Sequence, residues 1–124
     1  MKSFNALIKT HHITSRKKVA ILKKAADKHN VFALLRSGGC PGIMYTEGSE
    51  EGVKEWVDTV RRLRYKDYQL LCRPALVQAN ATTQIMTLSC ADGLNEVPTV
   101  KDFSALMEQR GVLSWWRSAM GFKS

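Results

Sequence analysis

Apolar and polar positions at the start of the chain change from a strand-like to a helix-like spacing. Residues 5–14 (NALIKTHHIT) alternate with the two-residue period of a β-strand. Residues 16–29 follow an N-capping Ser15, and their apolar positions recur at helical intervals. The pattern therefore predicts a strand followed by a helix.

The central stretch has the pattern of a hairpin followed by a second helix. The runs 31–36 (VFALLR) and 43–46 (IMYT) are rich in strand-forming residues, and they flank the glycine-rich turn SGGCPG. Ser49 is placed to cap the next helix. One face of that helix carries Val53, Trp56, Val57, Val60 and Leu63.

A fourth strand is predicted over residues 68–73, with Pro74 as its end. The order of elements predicts an α+β fold, a ferredoxin-like β-α-β-β-α-β antiparallel sheet with both helices on one face. Residues 84–90 are interpreted as a further, C-terminal strand, and residues 91–96 as a loop.

Two helices are predicted near the C-terminus, at about residues 99–120. Thr99 resembles an N-cap, Gly111 follows the first helix as a stop, and residues 113–120 form the second. The adjacent Trp115–Trp116 pair lies on this last helix, so one indole is expected to pack and the other to lie at a rim. The 124 residues are expected to form a single domain, 1–124, with helical additions.

Positive charge is concentrated in the first quarter of the chain. The sequence has 19 Lys and Arg residues against 11 Asp and Glu residues, a formal net charge of +8. Residues 1–30 hold eight basic side chains against Asp27 alone. This asymmetry favours a polyanionic partner, with a solvated basic face that aids solubility as the alternative.

The three cysteines do not form a recognisable disulfide or zinc pattern. Cys40, Cys72 and Cys90 are an odd, widely spaced set without a CxxC motif, and reduced thiols are expected. No apolar run reaches the roughly 18 residues of a membrane span, and the start of the chain lacks a signal-peptide core. We therefore expect no membrane partner and a location in the nucleus or the cytoplasm.

The sequence favours neither a metal site nor an enzyme. If His11 and His12 lie on a strand, they point to opposite faces and do not readily ligate one ion, so no metal is expected. No nucleophile, phosphate-loop or zinc-protease motif occurs, so the protein is expected to be non-catalytic, without a cofactor. Arg16 and Lys17 lie unfavourably in the first turn of a helix, which indicates an anion to be met there.

The order and spacing of several short motifs resemble a known eukaryotic domain family. The motifs are His11-His12-x-x-Ser15-x-Lys17-Lys18, Gly39-x-Pro41-Gly42, Glu47-Gly48, Arg61-Arg62-Leu63 and Gly111-x-x-x-Trp115-Trp116. They resemble the C-terminal domain family of pre-mRNA-processing factor three, a splicing factor of the tri-snRNP, shared with the domain that follows the RWD domain in other proteins. The resemblance implies a ferredoxin-like core and binding of small nuclear RNA.

Charge and resemblance together predict a non-catalytic RNA-binding module of a ribonucleoprotein or RNA-processing assembly. Cations would contact phosphate, and a ring would stack on an unpaired base of an RNA with a duplex and a single-stranded overhang. The predicted RNA-binding residues are Lys9, His11, His12, Arg16, Lys17, Lys18, Lys23, Arg61, Arg62 and Arg64. The alternative is a protein-interaction module that docks a partner through the Trp115–Trp116 tail or an exposed sheet face.

Overall fold

The computed structural model describes residues 3–77 and 93–122. The elements are β1 (Phe4–Thr10), α1 (Arg16–His29), β2 (Phe32–Arg36), β3 (Gly42–Gly48), α2 (Glu50–Arg62), β4 (Gln69–Leu76), β5 (Gly93–Val97), α3 (Val100–Gln109) and α4 (Leu113–Met120). None of the helices in these two ranges is both long enough and apolar enough to cross a membrane.

The five strands form one sheet in the order β4-β1-β3-β2-β5. The first four strands pair antiparallel, with β1 between β3 and β4. β5 runs parallel to β2 and makes the sheet mixed. The predicted α+β, ferredoxin-like arrangement with a C-terminal strand and helical additions is confirmed.

Helices α1 and α2 cover one face of the sheet, and the side chains between them and the sheet are apolar. Trp56 of α2 is fully buried in this layer, and its indole Nε1 donates a hydrogen bond to the Leu22 carbonyl of α1 at 3.1 Å. Ala6, Ile8 and Met44 supply the sheet side of the layer. The buried stripe predicted from helical spacing is therefore what joins the two helices to the sheet.

Helices α3 and α4 cover the other face of the sheet. Phe103 of α3 stacks on Trp116 of α4, with ring centroids 5.6 Å apart, and both side chains are buried. Trp115 is half-buried and meets the Tyr45 ring edge-on. The expectation that one indole packs and the other lies at a rim is confirmed.

The predicted ends of β1 and β4 and the loop predicted over residues 91–96 are wrong. β1 ends at Thr10 rather than at residue 14, and β4 continues through Pro74 to Leu76. Pro74 is tolerated because β4 is an edge strand within residues 3–77 and 93–122 and the β1–β4 register shifts between Asn5 and Leu7. Residues 93–96 of the predicted loop belong to strand β5 (Gly93–Val97), while the strand predicted over residues 84–90 lies outside the described residues.

Candidate functional site

Three loops meet at one end of the sheet and are joined by main-chain hydrogen bonds. They are residues 11–15 after β1, residues 37–41 between β2 and β3, and residues 63–68 between α2 and β4. The His11 N–H donates to the Lys66 carbonyl at 2.9 Å, and the Gly42 N–H donates to the His11 carbonyl at 3.1 Å. His11 therefore lies between the other two loops.

Gly42 allows the turn to approach the first loop closely. A Cβ atom at this position would collide with Thr10 Oγ1 and would lie 2.7 Å from Ile13 Cγ1. Any other residue here would force the Thr10 and Ile13 side chains or the backbone to shift. The turn that carries Cys40 is consequently held against the loop that carries the two histidines.

His11, His12 and Cys40 form a cluster of potential metal ligands. One donor atom from each lies within 4.8 Å of the donor atoms of the other two. The Cys40 Sγ atom is 3.9 Å from His11 Nδ1, and the two imidazole rings are in edge contact with centroids 4.1 Å apart. We refer to these three residues as the His-His-Cys cluster.

The geometric reason for expecting no metal site does not hold in the structure. It required a strand through residues 5–14, which would turn His11 and His12 to opposite faces, but β1 ends at Thr10. In the irregular backbone beyond Thr10 the two rings touch. Cys40 was missed because it is 29 positions from His11, and its place in a tight glycine-rich turn was the available signal.

A cleft of about 390 Å³ opens beside the cluster. Its lining residues are Lys9, Thr10, His11, Cys40, Pro41, Asp67, Tyr68 and Gln69. The Asp67 carboxylate lies 3.4 Å from His11 Nδ1, and both side chains are accessible to solvent. Asp67, like Cys40, was not among the predicted site residues.

The cluster offers two imidazoles and one thiol, which is a set of nitrogen and sulfur donors. Zn²⁺ takes this set in tetrahedral geometry, whereas Mg²⁺ and Ca²⁺ require oxygen ligands. Soft and borderline transition-metal ions are therefore the chemical class that these side chains suit. The partial exposure of all three residues leaves the donors accessible from solvent.

The predicted RNA-binding cations of α1 face different surroundings. Arg16 donates two hydrogen bonds to the Glu96 carboxylate of β5, at 3.0 and 3.2 Å, and Arg16 holds the pKa of that carboxyl below its usual value. The anion that Arg16 was predicted to meet at the start of α1 is therefore the Glu96 side chain of the same protein. Lys18 lies over the Tyr65 ring, and Lys17 and Lys23 are exposed.

The cations at the end of α2 form a separate group. Arg61 and Arg62 both form ion pairs with Asp58 of the same helix, so part of their charge is neutralised locally. Together with Arg64 they line a shallow recess of their own. Of the predicted residues, the structure brings together Lys9 and His11 in the cleft and His12 in the adjoining cluster.

Comparison with known proteins gives structural neighbours and no sequence family. No protein-family model matches the chain, and no curated protein matches it. The chain is similar to the solved structure of BlsA in its photo-activated state, with a TM-score of 0.53 and 12% identity over 91% of this chain and 81% of that one. It is also similar to BlrP1 BLUF, with a TM-score of 0.54 and 14% identity over 100% of this chain and 80% of that one.

These neighbours establish a BLUF-like fold and contradict the resemblance to the splicing-factor domain family. They are a BLUF domain and BlsA in its photo-activated state rather than RNA-binding or splicing proteins, and on this finding the predictions of an RNA-binding function, an RNA partner and a role in splicing or a ribonucleoprotein are wrong. The predicted nuclear location is not supported either. The docking alternative is not supported either, because Trp116 is buried against Phe103 and helices α3 and α4 cover the second sheet face.

Proposed function

We propose that this protein is a non-catalytic module of BLUF-like fold that binds a divalent transition-metal ion between His11, His12 and Cys40. The observation that carries the proposal is the convergence of three nitrogen and sulfur donors within 4.8 Å. Two separate loops supply these donors, and main-chain hydrogen bonds through Gly42 hold the loops together.

The composition of the cluster supports a metal over an organic substrate. Zn²⁺ bound by three protein ligands needs only a fourth donor to complete its tetrahedron. In the cleft, Cys40 Sγ and the Asp67 carboxylate both face Nδ1 of His11, so the carboxylate does not orient the imidazole from its opposite nitrogen as in a nucleophile–base–carboxylate triad. Binding, rather than turnover, is therefore the proposed activity.

Metal binding is tested by titrating Zn²⁺ into the tag-free protein under reducing conditions and measuring heat or competition with a chromophoric chelator. We expect one ion per chain, and at least about a tenfold loss of affinity in Cys40→Ser and in His12→Ala, since even outer-shell partners of a metal matter to this degree. Ca²⁺ and Mg²⁺ are expected not to compete.

Cys72 supplies the matched control for the thiol. It is half-buried in β4, and burial raises the pKa of its thiol, which disfavours the thiolate that a metal requires. Cys72→Ser is expected to bind Zn²⁺ as the unmodified protein does. Equal affinity in Cys40→Ser and the unmodified protein, or equal losses in the two serine variants, would reject the proposal.

Flavin-dependent blue-light sensing is the second candidate, because the structural neighbours are BLUF domains. The packing between α1, α2 and the sheet opposes it. A flavin presents polar ring atoms that need buried partners, whereas Ile8, Met44 and Trp56 fill this layer with fully buried apolar groups. These apolar groups offer few partners for the polar ring atoms of a flavin in this layer.

An absorption spectrum distinguishes the two candidates. The purified protein, mixed with riboflavin, FMN or FAD and passed through a desalting column, is expected to elute without flavin absorbance. Retention of a flavin, with a change of its spectrum under blue light, would support the second candidate and contradict the closed packing around Trp56.

A further inference from the structure

We infer that the Asp67 carboxylate is the fourth ligand of the proposed metal ion, so that no water molecule is needed to complete the coordination shell. This inference rests on the proposed function. It adds a third loop to the coordination shell, because Asp67 lies between α2 and β4, whereas the His-His-Cys cluster comes from the loops after β1 and β2. The ion would then join all three loops at this end of the sheet.

Two distances from His11 Nδ1 are near those of a tetrahedral site, and the Asp67 side chain, which lies outside the group of donors within 4.8 Å of one another, must rotate to complete it. With Zn–N and Zn–O bonds near 2.1 Å and a Zn–S bond near 2.3 Å, tetrahedral angles separate nitrogen from oxygen by about 3.4 Å and nitrogen from sulfur by about 3.6 Å. In the structure Asp67 Oδ2 lies 3.4 Å and Cys40 Sγ lies 3.9 Å from this nitrogen. Both separations approach those of a tetrahedron around an ion.

The same distance is too long for a direct charge-assisted hydrogen bond. Such bonds between a cationic nitrogen and a carboxylate oxygen measure about 2.7–2.9 Å. The 3.4 Å between His11 Nδ1 and Asp67 Oδ2 exceeds that range. The spacing suits two donors that share an ion better than it suits a donor and an acceptor in direct contact.

Charge balance also favours the carboxylate. A thiolate at Cys40 and a carboxylate at Asp67 together neutralise a divalent cation, while His11 and His12 ligate as neutral imidazoles. Neutralisation matters here because Lys9 lines the same cleft and would repel an uncompensated cation.

The backbone holds Asp67 in place for this role. The Lys66 carbonyl accepts the hydrogen bond from the His11 N–H, which brings the next residue beside the imidazole. Asp67 has φ +56°, a left-handed conformation that Asp and Asn tolerate better than most residues. Asp67→Asn therefore removes the charge and keeps the shape and the backbone preference.

Cobalt(II) provides the test, because its visible absorption reports thiolate ligation and coordination number. The unmodified protein is expected to give the intense ligand-field bands of four-coordinate Co²⁺ and a thiolate charge-transfer band. Asp67→Asn is expected to bind Zn²⁺ at least about tenfold more weakly and to show altered ligand-field bands with the charge-transfer band kept. Asp58→Asn, which changes a carboxylate on α2, is the matched control and is expected to change neither.

The outcomes separate this inference from the proposed function. Unchanged affinity and an unchanged Co²⁺ spectrum in Asp67→Asn would overturn the role of Asp67, while a loss of binding in Cys40→Ser would still support the His-His-Cys cluster. Absence of Co²⁺ and Zn²⁺ binding by the unmodified protein would overturn both. The unfolding midpoint without metal verifies that each variant is folded.

Discussion

Arg110 and Glu47 form an ion pair in which both side chains are almost fully buried. The guanidinium donates to the two carboxylate oxygens at 3.1 and 3.2 Å, and the side chains are 6% and 11% exposed. Arg110 also lies over the Phe32 ring, with its central carbon 3.7 Å from the ring centroid. This pair connects the end of α3 to strand β3 and holds the C-terminal helices on the sheet.

Removal of one partner of this pair should be strongly destabilising. Glu47→Gln removes the carboxylate charge opposite the buried Arg110 guanidinium, and the free energy of unfolding should fall by about 3–5 kcal/mol. Urea denaturation followed by circular dichroism measures it. Glu50→Gln breaks the exposed pair with Lys54 and should cost less than about 1 kcal/mol. Similar losses in the two variants would contradict the difference in burial.

Trp56 should be the most sensitive position of the α1–α2 layer. Trp56→Ala leaves a cavity in a fully buried region and should lower the free energy of unfolding by about 3–5 kcal/mol. Trp56→Phe loses the hydrogen bond to the Leu22 carbonyl and part of the volume, and it should cost less. Ile21→Ala is the control on α1, since Ile21 is 44% exposed, and a loss there as large as in Trp56→Ala would refute this ranking.

Gly42→Ala should affect stability and metal affinity together. The added methyl collides with Thr10 and Ile13 and pushes the Cys40 turn away from the histidines, at a cost of about 1–3 kcal/mol. Denaturation and Zn²⁺ titration of the same variant measure both quantities. Gly121→Ala strains a left-handed glycine in open space after α4. Gly121→Ala should lower stability slightly and leave Zn²⁺ affinity unchanged. An unchanged Zn²⁺ affinity in Gly42→Ala would contradict the proposed link between the close approach at Gly42 and metal binding.

Tyr65 should make the fold sensitive to alkali. Burial raises the pKa of Tyr65 to about 12, with the nearby Arg16 lowering and Glu96 raising it. The phenol is neutral in the folded state and ionises more easily when unfolded. The neutral Tyr65 phenol makes its full contribution to the free energy of unfolding below about pH 10. This contribution, about 1–3 kcal/mol, is lost as the pH rises through the pKa of the folded state. Stability measured from pH 9 to 12 should fall less steeply in Tyr65→Phe, and identical pH profiles would contradict this assignment.

Helix limits were predictable because their signals are local. Ser15, Ser49 and Thr99 each accept a hydrogen bond from a main-chain N–H in the first turn of the helix that they cap. These residues are recognisable in sequence because an N-cap needs a short polar side chain at one position. The range of α1 was predicted without error for the same reason, and that of α4, which begins after Val112 without a side-chain cap, was also predicted without error.

Strand limits and the candidate site depended on distant contacts. The alternation of residues 5–14 continues past Thr10, so nothing local shows that pairing with β3 stops there. The proximity of Cys40 to His11 follows from the close approach at Gly42, and Asp67 reaches His11 through the Lys66 carbonyl. Periodicity in sequence does not contain these contacts.

Pro74 affects whether copies of the protein can associate with one another through the edge of β4. An uncovered sheet edge is a template to which another extended chain can add, and such addition leads to fibres. At the β4 edge Pro74 supplies no N–H donor, and the irregular register with β1 interrupts the row of main-chain groups. The chain therefore carries protection against edge-to-edge growth along β4, and replacing this one ring with valine would restore the missing donor and weaken that protection.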